Sequence, residues 1–250
     1  MVLLGLAIRL YLSATSYCLS GDGVAYIGMA REFAAGEPRR ALASVFSPLY
    51  PAIIAIIHPA IPSWEAAGNL VSTVLGTAAI VTVFGMTRAI FNRRDLALGA
   101  AALMAVHPDM AAYAASVRTE AGFIMLMTAA VWLLIISLAQ LRLMIAAAAG
   151  LAGGAAFLYR TEALGLLIFA SAFIPAGAML WRRWRFGWAL IASAVFAAAF
   201  LALAAPYLIL LHTITGRWSV GREFTAAMNF GIGDVSANQA AWHRMGLSAV

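Results

Sequence analysis

Residues 187–211 read Gly-Trp-Ala-Leu-Ile-Ala-Ser-Ala-Val-Phe-Ala-Ala-Ala-Phe-Leu-Ala-Leu-Ala-Ala-Pro-Tyr-Leu-Ile-Leu-Leu, without a charged side chain, directly after Trp181-Arg182-Arg183-Trp184-Arg185-Phe186. A helix needs about 20 apolar residues to cross the hydrocarbon layer of a bilayer. Arg and Trp side chains in turn prefer the interface at its ends. The stretch therefore reads as a transmembrane helix anchored at its start, and the rest of the chain repeats the pattern. Similar apolar runs occupy roughly 2–19, 66–87, 96–114, 121–139, 143–159 and 163–180. The expected fold is all-α: a polytopic bundle of about seven transmembrane helices.

Composition agrees. The chain has 250 residues, 64% hydrophobic and 10% charged, with a mean hydropathy of +0.92, beyond what a soluble core requires. A net charge of +6 raises the question of nucleic acid. No basic run is interleaved with stacking aromatics, however, and the Arg clusters sit between apolar spans, so no nucleic-acid partner is expected. All 16 basic residues are Arg. Cys18 is the sole cysteine, which excludes an internal disulfide and a cysteine metal site. The first apolar stretch has no basic leader and no Ala-x-Ala-like cleavage site, so it is read as a retained span.

Alternation of seven spans puts Arg88, Arg93, Arg94, Arg142, Arg182, Arg183 and Arg185 on one side, with Asp95 as their only acid. These Arg lie in very short loops, where the positive-inside rule is strongest, so that side is the expected cytoplasm. The other acids, with Arg31, Arg39, Arg40, Arg118, Arg160, Arg217, Arg222 and Arg244, fall outside. The expectation is thus an inner-membrane, multi-pass protein with a cytoplasmic amino terminus. Its first outer loop, 20–65, holds the run Pro48 to Pro62, whose four prolines and short length indicate an interfacial or re-entrant helix. Tyr50, His58 and Trp64 suit an interface. Residues 1–214 form the expected transmembrane domain. Residues 215–250, containing Asn229, Gly231, Asp234 and Trp242, are expected to begin an outer-side region of a longer chain.

Two features of the outer side carry chemistry. Ser20-Gly21-Asp22-Gly23-Val24-Ala25-Tyr26 places a lone carboxylate between glycines at the start of a helix, with Asp22, Tyr26, Met29 and Phe33 at helical spacing. Asp is also a common helix cap, so capping and catalysis are both open. Arg118-Thr119-Glu120 and Arg160-Thr161-Glu162 form an internal echo at two outer span ends. Thr as cap and Glu in a first turn are expected of any helix start. A cation there opposes the helix dipole, which points to an anion for the two Arg.

In order along the chain, Arg9-Leu10-Tyr11, the loop residues Asp22, Tyr26, Ala30 and Gly36, and Pro48-Leu49-Tyr50-Pro51 are followed by Phe91-Asn92-Arg93-Arg94 and His107-Pro108. Glu120, Leu158-Tyr159-Arg160-Thr161-Glu162 and Gly216-Arg217-Trp218 then complete the series. This order and sidedness resemble the polytopic glycosyltransferases of the GT-C superfamily, near the protein O-mannosyltransferases and the aminoarabinose transferases of lipid A (glycosyltransferase families 39 and 83). The resemblance implies a polyprenyl-phosphate sugar donor, a protein, lipid or glycan acceptor, and an acidic residue of the first outer loop serving the transfer. That role falls on Asp22. Many members have two adjacent acids here, whereas this chain has one, and members usually continue well past 250 residues.

The residues suit such a transfer. It needs a base for the acceptor, for which Asp22 serves, and cations for the departing phosphate, for which Arg118 and Arg160 serve through their planar donors. Tyr26, Glu120 and Glu162 are expected to support them. A monophosphate carries less charge than a nucleoside diphosphate, so two Arg take the place of a metal. No cofactor is expected, and a divalent cation, though compatible, is not required. His58, His107, His212 and His243 have no close ligand spacing. Two other classes compete: a lipid or small-molecule transporter or flippase, which usually carries ionisable residues inside its spans, and a non-catalytic membrane subunit. Only Arg9 lies well inside a span.

Overall fold

The computed structural model describes residues 1–15, 19–44, 46–181, 186–216 and 218, with the side chains of Leu180, Trp181 and Thr215 excepted. Cys18, the whole Arg182–Arg185 band, Arg217 and the tail from 219 on, with His243, lie outside the described residues. Among those described, every regular element is helical.

The helices are α1 (Val2–Thr15), α2 (Gly21–Ala34), α3 (Pro38–Ala41), α4 (Leu49–Ile57), α5 (Trp64–Phe91) and α6 (Arg94–Val106). They continue with α7 (Pro108–Ala114), α8 (Glu120–Gln140), α9 (Leu143–Tyr159), α10 (Leu164–Trp181) and α11 (Phe186–Thr215). Helices α5, α8, α10 and α11 are long and apolar enough to cross a membrane. The stretch expected to be one span at 96–114 is instead the pair α6 and α7, bent by 61°. Counted as one broken span, it brings the candidates to 5. Helix α1 has 14 described residues, Val2–Thr15, and α9 has 17, so among the described residues two of the expected seven fall below the length criterion.

The break between α6 and α7 has a local cause. Pro108 has no N–H to give the carbonyl of Met104, and its ring excludes a continuous helix. Arg9, fully buried on α1, supplies the missing donors. Its Nη2 reaches Met104 O (3.2 Å), and its Nη1 reaches Ala105 O (3.2 Å) and Gly5 O (2.9 Å). A guanidinium at a helix C-terminus also meets the negative end of the helix dipole. The charge that stood out inside a span is therefore a cap for a broken helix.

Small residues set the helix contacts, as they must where lipid is no less apolar than a side chain. On α5, Gly68, Ser72 and Gly76 recur every four residues and are buried. A Cβ on Gly76 would stand 2.3 Å from that of Ala114, so α5 and α7 touch through this seam. On α9, Gly150 and Gly154 form a Gly-x-x-x-Gly pair. Added Cβ atoms there would lie 2.2 Å from the carbonyl oxygen of Phe196 and 2.7 Å from that of Phe200 on α11. Backbone meets backbone, with Phe157, Phe196 and Phe200 filling the space beside them.

In the loop after α1 the structure closes one open alternative and corrects one expectation. Helix α2 is capped by Ser20, whose hydroxyl accepts from Gly23 N at 3.1 Å, and not by Asp22, which sits in the first turn. Helix α4 does form within Pro48 to Pro62, with Pro51 in its first turn where no N–H is needed. Tyr50, expected at an interface, is instead fully buried. His58 and Trp64 stack with ring centres 3.6 Å apart.

Candidate functional site

The site lies at the end of the bundle where α1 stops and α5 starts. Helix α2 begins there against the segment joining α7 to α8: a Cβ on Gly23 would be 3.2 Å from the carbonyl of Val117. Its buried face then carries Tyr26, whose ring meets Phe46 (centroids 4.9 Å) and Tyr50 (5.4 Å, edge-on). The Tyr26 hydroxyl lies 3.3 Å from Thr119 Oγ1. Tyr50 continues the cluster to Tyr159 at the end of α9 (5.9 Å), and the Tyr159 ring fills the space left by Gly122 on α8.

These contacts hold the Arg118 backbone in place. The Tyr50 hydroxyl is 2.8 Å from Ser72 Oγ, and Ser72 donates to the carbonyl of Arg118 (3.1 Å). Together with Tyr26 on Thr119, this fixes residues 117–119 from two sides. Tyr50 and Ser72 were missed as site builders because their partners lie far along the chain. Their only signal was that each is a polar residue in an apolar run. Neither Thr119 nor Thr161 makes the expected cap bond to its helix; both are buried.

The echoed triplets come together. Glu120 Oε1 stands between Arg118 Nη1 (4.0 Å) and Arg160 Nη1 (3.4 Å). Arg160 also directs Nε (3.2 Å) and Nη2 (2.9 Å) to Glu162 Oε1. Arg118 lies 5.5 Å over the Tyr113 ring, and Arg160 6.0 Å over Phe123. The side chains of Arg118, Arg160 and Glu120 are 36%, 29% and 27% exposed, so the cluster is open to water and to a ligand at its mouth. For Arg160 the two glutamates already supply the anion that the dipole argument called for. Arg118 has the longer contact and the freer guanidinium.

Asp22 is exposed on the first turn of α2, one residue from the glycine that touches Val117, and makes no hydrogen bond or ion pair among the described residues. No group of three His, Cys, Asp or Glu able to hold a metal occurs among the described residues. The arrangement offers a water-exposed carboxylate, two cations sharing one carboxylate oxygen, and a rigid aromatic floor.

Residues 45–210 match the sequence profile of the dolichyl-phosphate-mannose-protein mannosyltransferase family. The chain belongs to that family. The match covers α4 to α10 and most of α11, and hence Arg118, Glu120, Arg160 and Glu162; Asp22 and α2 precede it. No curated protein matches the chain. Membership makes the protein a membrane glycosyltransferase of the mannosyltransferase type, in keeping with its apolar helices. A lipid-linked sugar donor follows from the family description.

Proposed function

We propose that the protein transfers a sugar from a polyprenyl-phosphate donor to a protein, lipid or glycan acceptor on the outer face of the inner membrane. Asp22 acts as base toward the acceptor hydroxyl or amine. Arg118 and Arg160 hold the departing phosphate. The observation that carries this reading is the sharing of Glu120 Oε1 by both guanidiniums. An anionic oxygen already occupies the point where a phosphate oxygen would bridge them. An incoming phosphate takes that place and releases Glu120, gaining charge-assisted bonds from two planar donors. Tyr26 serves by tying α2 to Thr119, so that Asp22 and Arg118 keep a fixed relation. Helix α4 lies along the outer surface and gives the lipid chain apolar access.

The test is transfer from radiolabelled polyprenyl-phosphate sugars by the chain in its full reading frame. The expected result is product formation that Asp22→Asn lowers on the order of a hundredfold or more. Uptake of substrate into sealed vesicles without any transfer would replace this reading with transport.

A further inference from the structure

A partly polar crevice lies against α5, and Arg118 is not among its lining residues. The crevice, of about 350 Å³, opens between α1 and α5. Its polar wall includes Ser13, Glu65 and Asn69, its apolar wall Leu10 and Leu70, and no basic residue lines it. Glu65 makes no ion pair or hydrogen bond among the described residues, unlike Glu120 and Glu162. Asn69 Oδ1 is sealed from solvent and has no partner either. Buried amide oxygens nearly always have one. Asn69 lines the crevice, so a rotation of its amide would let a donor bound there satisfy that oxygen.

We propose that this crevice binds the primary ammonium group of a phospholipid headgroup of the phosphatidylethanolamine type. The inference goes beyond sugar transfer and does not depend on it. The lining offers a carboxylate, an amide oxygen and a hydroxyl as acceptors, matching the three N–H donors and single positive charge of an alkylammonium. A choline headgroup has the charge but no N–H, so it fills the space without satisfying Asn69. The apolar side identifies the ligand as a lipid and not a soluble amine. Leu10, Leu70 and, one turn further down α5, Val74 are 50%, 39% and 54% exposed and continue the crevice as an apolar track suited to acyl chains. A crevice polar at the helix ends and apolar below has the polarity profile of one phospholipid.

The experiment uses the full chain in nanodiscs of phosphatidylcholine containing a minor share of phosphatidylethanolamine, with the lipid retained after extraction measured by native mass spectrometry. The expected result is enrichment of the ethanolamine lipid by about tenfold or more over its bulk share, corresponding to a tenfold affinity ratio. Glu65→Gln should abolish the enrichment. Ser13→Val, on α1, should weaken it while leaving α5 untouched, which covers the case in which Glu65→Gln does not fold. Equal retention of the two lipids, or enrichment unchanged in both variants, overturns the proposal. Displacement of the lipid by free ethanolamine at equal molar concentration also overturns it, because the ligand would then be a soluble amine.

Discussion

At the scale of single residues, the structure separates two roles that the sequence left joined at Asp22. Ser20 caps α2, so the Asp22 carboxylate is free of that duty. Ser20→Ala should therefore cost about 1 kcal/mol of helix stability, read as a lower melting temperature, with little change in chemistry. Asp22→Asn should do the reverse: unchanged melting, and transfer lowered on the order of a hundredfold or more, as expected for loss of a positioned base. Parent-rate transfer by Asp22→Asn would leave Asp22 as an ordinary first-turn acid. The arginines make a second test. If phosphate replaces Glu120 between them, Arg118→Gln should raise the donor KM by about tenfold or more, the scale of one charge-assisted contact. Glu120→Gln, which removes the competing anion, should lower it. A rise in KM with Glu120→Gln would mean that the carboxylate organises the cluster and does not merely hold its place. The meeting of the two triplets was legible because both stand at span ends on the same side, and alternation alone brings them to one end. That Tyr50 is buried and braces Ser72 was not legible, since an aromatic beside prolines in a loop fits an interface equally well.

At the scale of elements, helix positions followed from apolar length, and helix breaks followed from chemistry that length does not record. Residues 96–114 are apolar enough for one span, yet the chain bends at His107-Pro108 because Met104 O loses its i+4 donor there. The compensating donor, Arg9, comes from nearly a hundred residues away. This pairing is testable as a cycle. Arg9→Met leaves the Met104 and Ala105 carbonyls unpaired and should destabilise by about 1–3 kcal/mol per buried group. In a Pro108→Ala background the new N–H offers Met104 O an internal partner, so the same substitution should cost less, with a coupling of about 1 kcal/mol. Strict additivity of the two in thermal or denaturant unfolding would show that Arg9 does not serve the break. The α9–α11 contact is a simpler case. Gly150→Ala puts a methyl 2.2 Å from a backbone carbonyl that no side-chain movement can clear. The helices must separate, and a loss of about 1–3 kcal/mol is expected. The Gly-x-x-x-Gly spacing was present in the sequence, but its partner surface became visible only with α11 in place.

At the scale of the whole molecule, the contacts constrain topology more than helix length does. Tyr159 at the end of α9 packs on Tyr50, and Thr119 at the start of α8 meets Tyr26, so the start of α8 and the end of α9 share one end of the bundle. Helix α9 therefore traverses the bundle antiparallel to α8 although its 17 residues extend only about 26 Å. A short helix suffices where its polar ends are covered by protein, and α9 lies between α8 and α11. The same alternation gathers Arg88, Arg93, Arg94 and Arg142 at the opposite end. There Asp95, the one acid, is paired with Arg93, and Asn92 closes α5 in a left-handed conformation (φ 52°). An end with that charge excess and loops this short is expected to face the cytoplasm. In a Cys18→Ser background, a cysteine introduced at Gly21 beside Asp22 should react with an impermeant thiol reagent in intact cells. One at Asn92 should react only after permeabilisation. Both positions lie outside regular helix interiors, so the outcome reports side and not burial. Labelling of position 92 alone would invert the protein. It would place Asp22, Arg118 and Arg160 on the cytoplasmic face, where a donor presented at the outer leaflet could not reach them.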